Sequence, residues 1–411
     1  MMDNFFIWAR EVIGIGPKGM KAFFDDNKDI LEKIFIEKCF EGPSYDEKNF
    51  ELDTNEFLGI IMDKGRIYFS KKIMDKIGKC GYSQDVIDDI KNDMRSRRVS
   101  YICYDSDDYP DLLRNVYDPP YILYYYGDIS IVNSYPLLSV VGARKCTEYG
   151  KNAAKYLVRD LAESGIGIVS GLAVGIDSYA HKYCLEGGSP TIAVMGTAID
   201  NIYPKSNKKL FKQIIDQGGL ILSETGPGRE TFRASFAIRN RIIAGLSRGI
   251  LVIEAGKKSG SLITARYGLD NGREVYLVPG SIFSELSYGC NEMISMGGKM
   301  VMTSQDILED YRTFYTFDCL NNKKNNKNTG NNPSVCVNIR NENLNGEEFS
   351  EHERDILKLL SEKGALEIDK ISSYLNMEVG EVIFCVNNLS MMDYIFEVGI
   401  NTYELNKVLI I

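Results

Sequence analysis

Histidine is scarce in this 411-residue sequence, and His181 and His352 lie far apart along the chain. Chemistry that needs several histidines at one place is therefore disfavoured. The nine cysteines are scattered and none forms a C-x-x-C pair, so their spacing fits neither a zinc site nor a small disulfide scaffold. Unpaired cysteines suit a reducing compartment, and we expect a cytoplasmic protein.

The sequence also lacks a long apolar run and an excess of positive charge. Nowhere do about 18 uncharged apolar residues follow one another, and the N-terminal segment, with Asp3, Arg10 and Glu11, does not have the pattern of a signal peptide. We therefore expect no membrane partner. With 48 Lys and Arg against 57 Asp and Glu, the net charge of −9 excludes a protein that is basic throughout. Any nucleic-acid contact must come from a local patch.

Length and apolar content predict several domains. At 411 residues and 44% hydrophobic, the chain has material for two or three cores. Residues 1–90 are predicted to form a small helical domain, in which residues 13–20 join two apolar helical runs through a glycine-rich turn. This turn fits a helix–hairpin–helix (SAM-like) domain whose amides can hold a phosphate, or a plain corner in a helical bundle.

Residues 98–312 alternate β-branched apolar runs with helical stretches. Residues 151–164 have the apolar stripe of a helix, and the expected strands are 137–141, 167–170, 191–195, 220–222, 250–253 and 274–278. Strands that alternate with helices predict βαβ units. We therefore expect an α/β fold with a mostly parallel sheet covered on both faces.

The C-terminal part is predicted to be a flexible linker followed by a small domain. Residues 313–346 include NNKKNNKNTG, which has no apolar side chain and cannot bury enough surface to order itself. Residues 347–411 have the pattern of three helices and a terminal hairpin, typical of a winged helix. This domain carries 13 acidic and 5 basic residues, so we expect it to bind a protein or the main domain rather than DNA.

Two glycine-containing turns follow the strands at 137–141 and 167–170. In the first, Gly142 and Arg144 lead into a helix, where backbone amides and a planar guanidinium suit a phosphate; an ordinary surface arginine is the alternative. In the second, Ser170 and Gly171 begin SGLAVGID, which has neither the Lys-Ser/Thr of a P-loop nor the G-x-G-x-x-G of a dinucleotide site. Asp177 in this segment fits a role at the helix start better than a catalytic one.

Residues 229–241 carry four arginines and one glutamate in a chain that is otherwise acidic. Arginines interleaved with aromatic residues suit a single strand, because guanidinium groups bind phosphate and rings stack on bases. Core packing of Phe236 and ion pairing of some arginines are the alternatives. The candidates in this segment are Arg233, Phe236, Arg239, Asn240 and Arg241.

A fourth motif, EAGKKSGSLITA, turns through glycines into a helix at Ser259, Gly260 and Ser261, which can form an anion nest or simply cap the helix. The loop YPKSN adds a cation, Lys205. Because all of these residues follow the carboxyl ends of strands, we expect them along one rim of the sheet. No nucleophile–base pair, metal cluster or cofactor fingerprint accompanies them, so we expect a polyanion-binding rim without cofactor, not an enzyme.

Six motifs stand in order between Asp105 and Leu308: VGARKCTEYG, SGLAVGIDSYAH, AVMGTAIDNIYPKSN, RNRIIAGLS, EAGKKSGSLITA and VPG. Together they resemble the DNA-processing protein A (DprA/Smf) family over about half of the chain. The predicted N-terminal and winged-helix domains resemble accessory domains of the same family.

The resemblance implies an extended Rossmann-like domain that binds single-stranded DNA without sequence preference. It also implies a homodimer that loads the recombinase RecA onto the strand in DNA uptake during natural transformation (competence). Arg144 takes the position of the family's pocket arginine, and Lys205 that of a basic residue on the backbone. Arg233 and Phe236 match a basic–aromatic pair. Pocket loop positions are matched by Gly142, Ser170, Gly171, Ser259, Gly260 and Ser261.

A nucleotide-binding enzyme remains the alternative. Nucleotide phosphoribohydrolases have a related fold with a strand–Gly–x–Arg entry, but carry a Pro-Gly-Gly-x-Gly-Thr loop followed by a catalytic glutamate. The corresponding loop here begins at Glu254 and has the sequence EAGKKSGS, without that pattern.

Overall fold

The computed structural model describes residues 2–16, 19–20, 79–80, 83–315, 350–375, 377–391, 394–399 and 402–405. They belong to two compact units, Met1–Glu309 and Asp310–Ile411. No helix in these ranges is long and apolar enough to cross a membrane.

The first unit is built on a nine-stranded, mostly parallel sheet. Its spatial order is β1-β2-β6-β5-β4-β3-β7-β8-β9. β1 pairs antiparallel with β2, and β2 with β6; all other neighbours are parallel. The strands are Ser100–Cys103 (β1), Ile122–Gly127 (β2), Leu137–Val141 (β3), Gly167–Ser170 (β4), Thr191–Met195 (β5), Leu220–Ser223 (β6), Gly249–Val252 (β7), Glu274–Leu277 (β8) and Lys299–Met300 (β9). The predicted α/β fold with a mostly parallel, Rossmann-like sheet is therefore confirmed.

Central strands are buried on both faces, which explains their near-continuous apolar sequences. In β5 every residue is buried. Ala193 and Met195 belong to one apolar core, whereas Ile192 and Val194 belong to another. Since successive side chains of a strand point to opposite faces, the two cores lie on opposite sides of the sheet.

Helices precede, connect and follow the strands of this sheet. They are Met2–Ile7 (α1), Gln84–Ser96 (α2), Asp111–Arg114 (α3), Ile131–Ser134 (α4), Glu148–Glu163 (α5), Ile176–Gly187 (α6), Lys208–Asp216 (α7), Ser235–Gly245 (α8), Gly260–Asp270 (α9), Tyr288–Ser295 (α10) and Gln305–Phe314 (α11). α5 shows how the sequence sets a helix: the Thr147 hydroxyl accepts the Gly150 amide at 3.2 Å as N-cap. Ala154, Leu157, Val158 and Leu161 then form the buried stripe.

The described part of the N-terminal stretch packs on this unit. α1 continues into a π-helix, Trp8–Ile13, that ends at Gly14 with φ 78°, a conformation that favours glycine. Phe6 and Trp8 share an apolar core with Tyr124 of β2. Residues 1, 17–18, 21–78 and 81–82 lie outside the described ranges, so the predicted helix–hairpin–helix domain over 1–90 stays a prediction.

The second unit has its own apolar core, which includes Ile356, Ile371 and Val386. Its helices are Glu351–Lys363 (α12), Ile368–Leu375 (α13) and Val379–Met391 (α14), and its strands are Leu366–Glu367 (β10), Ile395–Gly399 (β11) and Thr402–Leu405 (β12). The strands form an antiparallel sheet of order β10-β12-β11. The sequence predicts three helices and a terminal hairpin; the structure has these elements and adds the short strand β10 between α12 and α13, and the winged helix stays a prediction. Most of the predicted linker, 316–346, lies outside the described ranges.

Candidate nucleic-acid interface

The order of the strands creates a crevice at one rim of the sheet. From β3 the chain proceeds through β4 and β5 to β6 on one side, and then returns to build β7, β8 and β9 on the other. Connections that leave neighbouring strands in opposite directions separate at such a point, which is where open α/β sheets bind ligands. A cavity of about 730 Å³ lies here.

Nine of the thirteen predicted site residues line this cavity, which we call the arginine cavity. They come from the connections after β3, β6 and β7, and further lining residues follow β4 and β5. The predicted residues on its basic and aromatic side are Arg144, Arg233, Phe236, Arg239 and Asn240, and those on its glycine–serine side are Gly142, Ser259, Gly260 and Ser261.

Arg144 and Arg233 supply exposed positive charge. Both side chains are open to solvent and line the same cavity, although they are far apart in the sequence. In the ranges that the structure describes, neither guanidinium forms an ion pair. Two planar cations with free donors can therefore meet phosphate oxygens without first breaking a contact.

Phe236 offers an aromatic surface beside these cations. Its ring centroid lies 5.5 Å from that of Tyr203, with the planes tilted by 56°. The backbone of Gly196 packs closely against this ring, since a Cβ there would lie 2.8 Å from the Phe236 Cδ1 atom. Phe236 is half-buried, so the ring is fixed and still accessible to a base.

The N-terminus of α9 also lines the cavity. Ser259 is its N-cap: the hydroxyl accepts the Ser261 amide at 3.3 Å and lies 2.7 Å from the Ser261 hydroxyl. The Asn240 side-chain amide donates to the Gly260 carbonyl at 3.3 Å and so ties α8 to this turn. The first amides of a helix carry partial positive charge and attract anions, which adds to the charge of the arginines.

Arg239 is buried and joins the backbone of the turn after β4 to that of β5. Its guanidinium donates to the carbonyls of Gly171, at 2.9 Å, and of Val194. Burial lowers the pKa of Arg239 to about 10, against the attraction of Asp177 and together with the repulsion of Arg144. The side chain therefore remains a cation at neutral pH.

Asp177 holds the turn after β4. Its carboxylate accepts the amides of Gly171 at 3.2 Å and Ala173 at 3.4 Å. These bonds bracket Leu172, which has a φ of 56°, a conformation that costs energy in a residue with a branched side chain. Burial raises the pKa of Asp177 although Arg239 opposes this. The carboxylate thus shapes the loop, in agreement with the structural role preferred from the sequence.

Four predicted residues do not line the cavity. Ser170 is buried and donates to the Val140 carbonyl at 2.6 Å, and Gly171 lies beneath Arg239. Lys205 is exposed but lines a neighbouring groove. Arg241 is the fourth.

Arg241 is a structural cation. Its side chain is 5% exposed, with Asp118 at 3.2 Å and Glu224 at 2.7 Å. Burial lowers the pKa of Arg241, but the two carboxylates outweigh burial and raise it. The ion-pairing alternative left open from the sequence therefore describes this arginine, because its guanidinium pairs with Asp118 and Glu224.

The sequence analysis missed several lining residues, including Tyr203, Ile263 and Thr264. Thr264 follows Ser261 by three positions on α9, and residues at that spacing share a helix face. The sequence spacing could therefore have predicted Thr264 as a lining residue. Tyr203 could be found only from the fold, since it joins the cavity through the contact of its ring with Phe236.

The glutamate in the loop that the enzyme alternative concerns, Glu254, makes contacts outside the cavity. Glu254 is 1% exposed and does not line the cavity. Its carboxylate accepts the Thr147 amide at 2.8 Å and the Thr147 hydroxyl at 2.5 Å. It therefore anchors the start of α5 rather than facing a ligand in the cavity.

One group of possible metal ligands occurs in the described ranges. Atoms of Asp3, Cys103 and Asp105 lie within 4.8 Å of one another, and none of these residues lines the arginine cavity. Burial, with Asp3 nearby, raises the pKa of the Cys103 thiol well above its usual value. The group is thus separate from the candidate nucleic-acid interface.

Comparison with known proteins matches the region that builds the cavity. Residues 100–312 match the family described as DNA recombination-mediator protein A. The DNA processing protein DprA of Streptococcus pneumoniae is 44% identical over 205 residues, which cover 50% of this chain and 72% of the relative. The Bacillus subtilis protein of the same name is 37% identical over 216 residues, covering 53% and 72%.

A solved structure agrees with these matches. The X-ray structure of DNA processing protein A from Streptococcus pneumoniae has a TM-score of 0.61 and 31% sequence identity, and covers 75% of this chain and 97% of that one. The family match spans just over half of the chain, and the fold and the order of the motifs agree with it. The chain therefore belongs to the DNA recombination-mediator protein A family.

Proposed function

We propose that the arginine cavity binds single-stranded DNA without sequence preference. The observation that carries the proposal is that Arg144 and Arg233, from separate connections, line one cavity together with the ring of Phe236. Cations beside a stacking ring suit a flexible strand, because phosphates and unstacked bases can be bound together. The contacts available are charges, backbone amides and a π face, none of which distinguishes one base from another.

Duplex DNA fits this site poorly. Its bases are already stacked on each other, so Phe236 has no base face to bind unless the duplex opens. A purified single-stranded oligonucleotide should therefore bind more tightly than the duplex of the same sequence. The difference should persist at a second, higher ionic strength, since stacking does not depend on counterion release.

Fluorescence anisotropy with labelled oligonucleotides tests this proposal. Arg144→Ala should weaken binding of the single strand, whereas Arg266→Ala, which removes another exposed arginine on α9 outside the cavity, should not. Equal affinity for single strand and duplex, or equal weakening by both substitutions, would overturn the proposal.

The larger role proposed for the chain is recombination mediation in DNA uptake. Family membership supports a homodimer that loads RecA onto the bound strand in natural transformation. The described cysteines are free thiols, which is compatible with a cytoplasmic protein. Purified RecA should assemble faster on a single strand in the presence of the protein, and Arg144→Ala should remove this effect.

The second unit is proposed to be a winged helix that contacts a protein. Its three helices and antiparallel three-stranded sheet support the fold. The 13 acidic and 5 basic residues of 347–411 would repel phosphate. A chain ending at residue 315 should therefore keep its affinity for a single strand, as measured by the same anisotropy assay.

A further inference from the structure

A second groove, next to the arginine cavity, combines an apolar floor with lysines. It has a volume of about 720 Å³ and is bordered by the turn Lys205–Asn207 and by α7. Tyr126 of β2 and Phe211 of α7 form part of the floor, with their ring centroids 6.0 Å apart and their planes at 74°. We call this the lysine groove.

Four lysines line the groove: Lys205, Lys208, Lys209 and Lys212. Lys212 lies four and three positions after Lys208 and Lys209 on α7, a spacing at which helical residues are neighbours, and Lys205 lies in the turn that precedes this helix. The acidic residue among the lining residues is Asp216, and no ion pair of these four lysines occurs within the described part of the chain. In a protein with a net charge of −9, this concentration of unpaired cations favours an anionic occupant.

The lysine groove and the arginine cavity meet at one loop. Tyr203 lines the arginine cavity and contacts Phe236, while Lys205, two residues later, lines the groove. Two residues span at most about 7 Å. A strand that leaves the cavity past Tyr203 therefore meets Lys205 within about 7 Å along the chain.

We propose that the lysine groove is a second nucleic-acid contact that continues the path of the strand held in the arginine cavity. This inference rests on the proposed function and adds to it the course of the strand and the length that the protein covers. The lysines contact successive phosphates, and the apolar floor accommodates sugars and bases between them.

The length of the oligonucleotide separates the two sites experimentally. Oligothymidylates of about 6 and about 20 nucleotides are to be titrated against the wild type and the variant Lys208→Gln/Lys209→Gln/Lys212→Gln, which removes charge but keeps side chains of similar reach. The control is Lys155→Gln, which changes an exposed lysine on α5 outside the groove.

The triple variant should bind the short oligonucleotide like the wild type and the long one more weakly. Each single-strand phosphate contact contributes about 0.7 to the salt slope, so each lost contact weakens binding roughly fivefold at about 0.1 M salt. The salt slope for the long strand should fall by roughly 2 if all three lysines contact phosphate. Lys155→Gln should change neither quantity.

Two other outcomes have distinct meanings. If the triple variant binds the long strand as tightly and with the same salt slope as the wild type, the inference is wrong and the groove has another anionic occupant, such as an acidic protein segment. If Arg144→Ala leaves both lengths unaffected, the proposed function itself fails. The unchanged affinity for the short strand also shows that the triple variant is folded.

Discussion

Replacing Arg241 by methionine removes a cation that lies between two largely buried carboxylates. Arg241 is 5% exposed, Asp118 18% and Glu224 13%, with nitrogen–oxygen distances of 3.2 Å and 2.7 Å. The variant leaves both carboxylates without their shared partner in a site that water reaches poorly. Methionine keeps the apolar stem of the side chain, so the main change is loss of the guanidinium charge and of its hydrogen bonds to the two carboxylates.

The expected cost follows from the pairs themselves. At an effective dielectric constant of about 20, unit charges 4 Å apart interact by about 4 kcal/mol, most of which offsets the cost of removing them from water. Breaking a buried pair by deleting one partner costs about 3–5 kcal/mol, because the remaining charge is uncompensated. The melting temperature should fall by roughly 10 °C, measured by circular dichroism.

A matched variant isolates the electrostatic cause. Adding Asp118→Asn and Glu224→Gln to Arg241→Met neutralises the site and should restore most of the lost stability, since a buried ion network can be replaced by neutral groups at little cost. At a temperature where it is folded, Arg241→Met should bind a single strand like the wild type. A variant that melts like the wild type but binds DNA about tenfold more weakly would show that Arg241 contacts the strand and that our structural interpretation is wrong.

Three other predictions concern stacking, a buried histidine and a loop carboxylate. Phe236→Ala should weaken oligonucleotide binding by about 1–3 kcal/mol and leave the salt slope unchanged, because a ring stacks on bases but neutralises no phosphate; a changed slope would argue against stacking. Burial, assisted by Arg239, lowers the pKa of His181 to about 3. Between about pH 6.5 and 3 only the unfolded state binds a proton at this histidine. The free energy of unfolding is therefore unaffected by His181 above about pH 6.5 and falls as the pH drops toward 3. Urea unfolding should show a loss of about 2 kcal/mol between about pH 7 and 5 that His181→Gln lacks; identical pH profiles would refute this. The backbone amides of Thr303 and Met302, each 2.9 Å from the Asp306 carboxylate, lower the pKa of Asp306. Asp306→Ala should therefore lower the free energy of unfolding by about 1 kcal/mol near neutral pH. The charge-dependent part of this cost should vanish as the pH falls below about 4 through the lowered pKa, and a cost independent of pH would contradict the prediction.

The parallel part of the sheet could be predicted because its strands are short, apolar and buried. Leu137–Val141, Gly167–Ser170 and Thr191–Met195 have the predicted bounds. β1 and β2, by contrast, were not predicted: Ser100–Cys103 and Ile122–Gly127 contain several tyrosines and pair antiparallel at the edge of the sheet. Partial exposure there relaxes the apolar pattern on which sequence prediction depends.

The candidate site was predictable to the extent that it follows from strand ends. Arg144, Arg233 and Ser259 could be grouped because carboxyl ends of parallel strands share one rim. Arg239 and Arg241 could not be distinguished from Arg233 by sequence, since all three lie on or beside α8 and differ only in which neighbour each meets. The contacts of Arg239 with Gly171 and of Arg241 with Asp118 join residues far apart in the chain, and local patterns carry no information about them.

The salt dependence of single-strand binding tests the central claim most directly. Affinities of an oligothymidylate for the wild type, for Arg144→Ala/Arg233→Ala and for Arg266→Ala are to be measured over a series of salt concentrations. Because each phosphate contact contributes about 0.7 to the slope of log affinity against log salt, the double variant should bind more weakly with a slope reduced by about 1.4, and Arg266→Ala should match the wild type. A double variant with the affinity and slope of the wild type would contradict binding of the strand in the arginine cavity.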